Sequence, residues 1–350
     1  MAYTTIDNPE EYFQCKIYTG DGNTGRSITF DNTETSLQPD LAWFKNRDDT
    51  DHHGVVDSVR GVTKRISSNA TFEEQTDANN ISAFNSNGFS ISASAIDNMT
   101  NTSGEEYVFW CWKGGTTSVP SGSTSDPTGV SYNATSGFGI YKITAPGSGN
   151  YVLKHGLGTT PNFIWVKDLD ATQKHMIWVD QFSNLTDDYL QLNSNAAKAT
   201  YSTCWGTMNT TDATIATGGT LDVNNDHVIY VFSNRQGFQK HGSYTGNGNA
   251  NGTFVYTGFR PAWIMIKGNR ADNWQIMDNK RDVGNVCNTR SEASTATAEY
   301  TNINMCDFLS NGFKIRNDDS SSNESGTKYF YMAFAEAPFV NSNGVPCNAR

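Results

Sequence analysis

One stretch of this sequence occurs three times, and that repetition restricts the possible folds more than any other feature. A proline stands six positions before a lysine with an apolar run between them. Pro39–Lys45 reads PDLAWFK, Pro161–Lys167 reads PNFIWVK and Pro261–Lys267 reads PAWIMIK. An aromatic-rich run then closes each copy, at Tyr107–Trp112, His227–Phe232 and Tyr329–Phe334. The interval from the lysine to the final aromatic is 67, 65 and 67 residues. Spacing kept that closely indicates tandem copies of one module of about a hundred residues.

The first and third copies share more. Phe84–Ile91 (FNSNGFSI) returns as Phe308–Ile315 (FLSNGFKI), Asn101–Gly104 as Asn323–Gly326, and Tyr18–Gly22 as Tyr244–Gly248. Asp57 and Arg60 are echoed by Asp278 and Arg281. The middle copy keeps an aspartate, Asp180, but has Ser183 in place of the arginine and no Ser-Asn-Gly-Phe motif, so it is the divergent member.

The apolar runs are too short for helices and rich in β-formers, so they read as strands buried on both faces. Asn87-Gly88 and Asn311-Gly312 between alternating apolar residues signal two-residue hairpins. The expected fold is all-β, three tandem β-sandwich (jelly-roll-like) modules, with Trp43, Phe109, Trp165, Tyr230 and Tyr331 in the cores. The expected boundaries are 1–113 for the first module, 114–136 for a Gly/Ser/Thr/Pro-rich flexible linker, 137–238 for the second, divergent module and 239–350 for the third with its C-terminal tail. The tight second boundary suggests that copies two and three pack as a unit, with copy one held more loosely.

A net charge of −11 argues against nucleic acid as a partner, since phosphate binding needs clustered Lys and Arg. Cys15, Cys111, Cys204, Cys287, Cys306 and Cys347 have no metal-binding or framework spacing and read as free thiols of a reducing compartment. No signal peptide and no membrane span are expected. Gly20-Asp-Gly22-Asn-Thr-Gly25 matches a dinucleotide fingerprint in letters, but a strand rather than a helix should follow it. Asp48, Asp49, Asp51, His52 and His53 crowd one loop, and Asp222–Asp226 offers alternating oxygens. The third copy lacks the first cluster, and the second lacks the glycine and glutamate of a calcium loop. The six histidines read as non-recurring. Lys45, Lys167 and Lys267 do recur, as solvent-facing lysines beside sheet edges. The sequons, Asn69 and Asn133 among them, are what an Asn/Ser/Thr-rich chain generates by accident. Asp57, Asp180 and Asp278 are the only shared carboxylates, and a lone carboxylate beside apolar strands caps a turn or pairs with a base. No catalytic, cofactor-binding or metal residue is therefore assigned, and no cofactor is expected.

The pattern resembles a family of repeat-containing virion proteins of tailed bacteriophages of marine and cyanobacterial type. The matching residues are Asn8–Phe13 (NPEEYF), Tyr18–Gly22, Asp57–Gly61 (DSVRG), Trp110–Lys113 (WCWK), Tyr331–Glu336 (YMAFAE) and Val345–Arg350 (VPCNAR). The resemblance implies a structural protein on the particle surface, assembled in the bacterial cytoplasm. A tail fibre or receptor-binding protein for host attachment is the first expectation. A head decoration or spike protein is the alternative, and a polysaccharide-degrading enzyme the further alternative. Other virion proteins and a host cell-surface glycan or protein are the expected partners, with homo-oligomerisation, a trimer favoured.

Overall fold

The computed structural model describes residues 2–32, 34–92 and 99–347. Among the described residues it is all-β, with every pair of named strands antiparallel and one 3-10 turn at Pro9–Glu11. One strand pattern occurs three times. An opening strand (Phe13–Thr19, Phe138–Thr144, Gln239–Thr245) pairs with the closing strand (Glu106–Trp112, Asp226–Phe232, Lys328–Pro338). The closing strand pairs on its other side with the anchor strand (Leu41–Asn46, Phe163–Asp168, Phe259–Gly268). A return strand (Gly54–Asp57, Met176–Val179, Gln275–Asp278) completes the main sheet. Each main sheet is faced by a three-stranded cover sheet, whose central strand is Gly88–Ile91, Asp212–Ala216 or Gly312–Ile315. The middle copy thus builds the same hairpin without the Ser-Asn-Gly-Phe letters.

Side chains alternate across each main sheet, and both faces are buried. In the first copy Phe44 and Phe109 turn to the cover sheet, where Phe89 stacks on Phe109 at 4.2 Å. Trp43, Trp110 and Trp112 turn the other way, into a core shared by all three copies. There the last aromatics of the closing strands meet: Trp112 lies 6.4 Å from Phe232, Phe232 lies 6.0 Å from Phe334, and Phe334 lies 5.4 Å from Trp112. These are the residues at the constant interval from the lysines. The copies therefore close into a ring about a pseudo-threefold axis. A buried aromatic ring contributes roughly 4–6 kcal/mol of gross transfer free energy, so this shared core outweighs any single polar contact.

The ring corrects two expectations. The first copy is not loosely held: Trp43 meets Trp165 at 5.5 Å, and Phe13 stacks on Phe334 at 5.0 Å. Nor is 114–136 a free tether. Gly129–Asn133 is a strand beside the second opening strand, Thr116 bridges to Tyr132, and Asp40 accepts hydrogen bonds from Gly114 N and Ser131 Oγ. Trp43, Phe109, Trp165, Tyr230 and Tyr331 are buried as expected.

The hairpin glycines serve closeness rather than the turn itself. Asn85 pairs with Gly88 and Leu309 with Gly312, so the two-residue loops are Ser86-Asn87 and Ser310-Asn311, one position before the expected pair. A Cβ on Gly88 would stand 2.1 Å from Ile28 O, and one on Gly312 2.0 Å from Val255 O. Two other repeated motifs are partners: Asn101 and Asn323 each bond the Tyr-Thr-Gly loop of their own copy through both backbone and side-chain groups. The Gly20–Gly25 fingerprint runs into the strand Arg26–Thr29, with no helix after it.

Candidate functional site

The recurrent polar residues are where a function shared by the copies would be sought, and the lysines, Asp57 and Asp278 lie inside while Asp180 is half-buried. Lys45, Lys167 and Lys267 are 1 %, 0 % and 0 % exposed, contrary to the solvent-facing expectation. Each ammonium curls into the loop after its own strand. Lys45 Nζ donates to Asn46 O and to Asp49 O (2.7 Å), Lys167 Nζ to Asp168 O (2.7 Å) and Ala171 O (3.3 Å), and Lys267 Nζ to Gly268 O (3.0 Å) and Arg270 O (2.7 Å). Burial pushes all three pKa values down to about 8. The lysine clips a turn whose carbonyls would otherwise be buried unpaired.

The aspartates lie between copies. Asp57 Oδ2 accepts from Arg60 Nε at 2.6 Å and from Tyr230 Oη of the second copy at 2.7 Å. Asp278 Oδ2 accepts from Arg281 Nε at 2.6 Å and from Trp110 Nε1 of the first copy at 3.1 Å. Burial acts to raise the Asp278 pKa, but Arg281 and the hydrogen bonds outweigh it and hold it below the usual range. The third joint departs from the expectation. Leu41 pairs with Asp57 and Trp263 with Asp278, while their counterpart Phe163 pairs with Val179, so Asp180 is one residue out of register. Val179 and Phe182 replace the ion pair, and Phe182 meets Phe330 of the third copy edge-on at 5.3 Å. Asp180 instead bonds Asn162 and Gln181, and burial raises its pKa.

Three backbone hydrogen bonds repeat the cycle: Glu74 N to Leu169 O, Lys198 N to Asn269 O, and Glu299 N to Arg47 O. Each acceptor stands two residues after an anchor lysine. Glu299 also pairs with Arg47 across the third-to-first joint at 2.7 Å.

Two histidines do recur, which the sequence reading missed. Trp43 Nε1 donates to His53 Nδ1 at 2.9 Å and Trp165 Nε1 to His175 Nδ1 at 3.0 Å. Counting eight residues from each lysine finds both, and Gln275 in the third copy. Burial pushes both imidazole pKa values down, so they are neutral hydrogen-bond partners. The Asp/His cluster of the first copy is dispersed. Asp48 takes Glu106 N, Asp51 takes Asn46 Nδ2, His52 bonds Asn69, and His53 faces inward. In the 222–226 loop, Asp222 takes Gln173 Nε2, while Asp226 takes Thr144 and Lys142. Among the described residues no group of three or more His, Cys, Asp or Glu is placed to hold a metal ion. The six cysteines are free thiols.

Two polar clefts open at matching corners, beside the turn that follows an anchor strand. One, of about 610 Å³ in the first copy, is lined by Asp51, His52, Arg65, Phe72 and Asp77. The other, of about 240 Å³ in the second, is lined by Gln173, Lys174, Tyr189, Tyr201 and Asp222 beside a Gly218-Gly219 turn. None of these lining residues belongs to the recurrent set.

A family model described as "Domain of unknown function (DUF7483)" matches residues 8–338, one model spanning all three copies. No curated protein and no solved structure matches the chain.

Proposed function

We propose, on the premise that the chain belongs to the DUF7483 family, that it is a non-enzymatic structural protein on the surface of a bacteriophage particle, a tail fibre or receptor-binding component in host attachment. The observation that carries this reading is a division of labour. Residues shared between copies are spent on turns and joints, while the exposed corners differ from copy to copy, as display loops on a rigid frame do. The family-like motifs Asn8–Phe13, Asp57–Gly61 and Trp110–Lys113 support it too. The chain carries threefold repetition within itself, so its partners in the particle are other virion proteins rather than two further copies. Asp7 accepts a hydrogen bond from Ser342 N, and Tyr3 donates one to Gly258 O, so these residues pack on the third copy.

A head decoration protein is the second reading, favoured by the closure of the three copies on one shared core. Gold-labelled antibody against the purified chain, imaged on whole particles, separates the two. Tail labelling, with competition of adsorption by the free chain, is expected. Head labelling without competition moves the protein to decoration, and unlabelled particles end both readings. Reducing ends released from host polysaccharide, and lost on mutating one acidic pair, would overturn the non-enzymatic assignment.

A further inference from the structure

We propose that the cleft of the second copy binds a single neutral hexopyranose unit of a glycan; this deepens the attachment function above and rests on it. The cleft has four walls. The turn after the anchor strand brings Gln173 and Lys174, the strand Asp188–Gln191 brings Tyr189, and Tyr201 follows the strand Ala199–Thr200. The loop before the closing strand adds Gly218, Gly219, Thr220 and Asp222.

Its chemistry differs from that of the joints. Joint polar groups are bonded to one another, whereas among the described residues no protein group hydrogen-bonds the hydroxyls of Tyr189 and Tyr201 or the ammonium of Lys174. Lys174 Nζ lies 5.9 Å from the Tyr189 ring centroid, and Gln173 Nε2 donates to Asp222 Oδ2 at 2.6 Å, leaving Oδ1 to accept. Tyr201 is 54 % exposed, a large ring face held in water at the rim. Apart from Gly218 itself and its two chain neighbours, no atom lies within 4 Å of where a Gly218 Cβ would be, so the backbone turn leaves space there.

A pyranose ring has an apolar C–H face and a girdle of hydroxyls, each both donor and acceptor. It is matched by an aromatic face with an amide, a carboxylate and an ammonium around it. The volume of about 240 Å³ falls below the ~300–1,000 Å³ typical of drug-sized ligands, which suits one ring. Lys174 stands against Asp222 and Asp168 in the lining, so no surplus positive charge is left, which favours a neutral sugar over a phosphate or a uronic acid. Few contacts imply an affinity on the order of millimolar, and many copies on one particle multiply it.

The test is saturation-transfer NMR on the full chain with free glucose, galactose, mannose and N-acetylglucosamine in turn. Transfer to the ring protons of at least one sugar is expected. Tyr201→Ala should weaken binding about tenfold, as loss of an aromatic anchor does, while Tyr201→Phe keeps most of it. Phe72→Ala in the other cleft serves as control and leaves binding unchanged. No transfer with any of the four sugars, or transfer indifferent to Tyr201→Ala, overturns the proposal. Melting curves for each variant exclude loss of fold, which an exposed site makes easy to satisfy. Particle labelling without sugar transfer sinks only the sugar site. Sugar transfer with unlabelled particles sinks only the virion assignment.

Discussion

Asp57 and Asp278 are carboxylates with no access to water, each held by an arginine of its own copy and a donor from the next. Removing one partner of such a set strands the other charge. Asp278→Ala is therefore expected to cost about 3–5 kcal/mol in urea unfolding. The second copy shows the apolar alternative, so the combined change Asp57→Val, Arg60→Phe and Tyr230→Met, which copies Val179, Phe182 and Met332, should cost less than Asp57→Ala alone. A triple variant less stable than the single one would mean that the ion pair stabilises beyond its packing. The clipped lysines give a pH signature. Their folded pKa of about 8 lies below the unfolded value of ~10.4, so above pH 8 the unfolded chain holds protons the folded chain has released. Their contribution makes stability rise from pH 8 towards 10. The buried thiols from about pH 8.5, and the buried tyrosines above 10, act the other way, because burial raises their pKa values. The lysine contribution is read by difference: melting temperatures of Lys267→Met and of the parent chain across pH 8–10 at fixed ionic strength should diverge by about a third of the rise the three lysines supply, and parallel curves would overturn it.

At the scale of strands and turns, Gly88 and Gly312 tie the first and third cover sheets together through a close carbonyl approach that leaves no room for a Cβ. Gly312→Ala should cost about 1–3 kcal/mol by overpacking, with the loss appearing in the thermal melt of the whole chain. The Asn-Gly pair located that hairpin from sequence, but for a different reason: turn statistics foresee the bend, while the contact with Val255 O is non-local. The anchor strands were legible because period, length and the constant interval agree. Orientation was not. A lysine at a strand end ordinarily faces water, and only the following loop, which offers two carbonyls inward, reverses that here. Asp180 misled because the turn before it has the same length as in the first copy, which puts Val179 rather than Asp180 at the register position of Asp57, and strand register turns a one-residue slip into a change of face. His53 and His175 sit among unlike neighbours, so their equivalence shows only in the shared eight-residue distance from the lysine. The sugar cleft had no repeat signal, since its residues belong to one copy.

For the whole molecule, the sequence could not show ring closure, because contacts between copies leave no local periodicity. Its mechanical meaning is testable. Cleavage at a protease site placed at Gly122, in the exposed part of the 114–136 segment, should leave the two fragments co-eluting near 38.4 kDa in native buffer and separating only in denaturant. Independent elution in native buffer would show that the shared core does not hold the first copy. The three joints, two ionic and one apolar, have a further meaning. In a ring of three identical chains, every substitution appears at all three contacts at once, so a harmful change is tripled and no contact can be altered alone. Fusing the copies into one polypeptide lifts that restriction. One contact can trade an ion pair for a phenylalanine while its sisters hold the assembly, and one corner can acquire a binding surface the other two never carry.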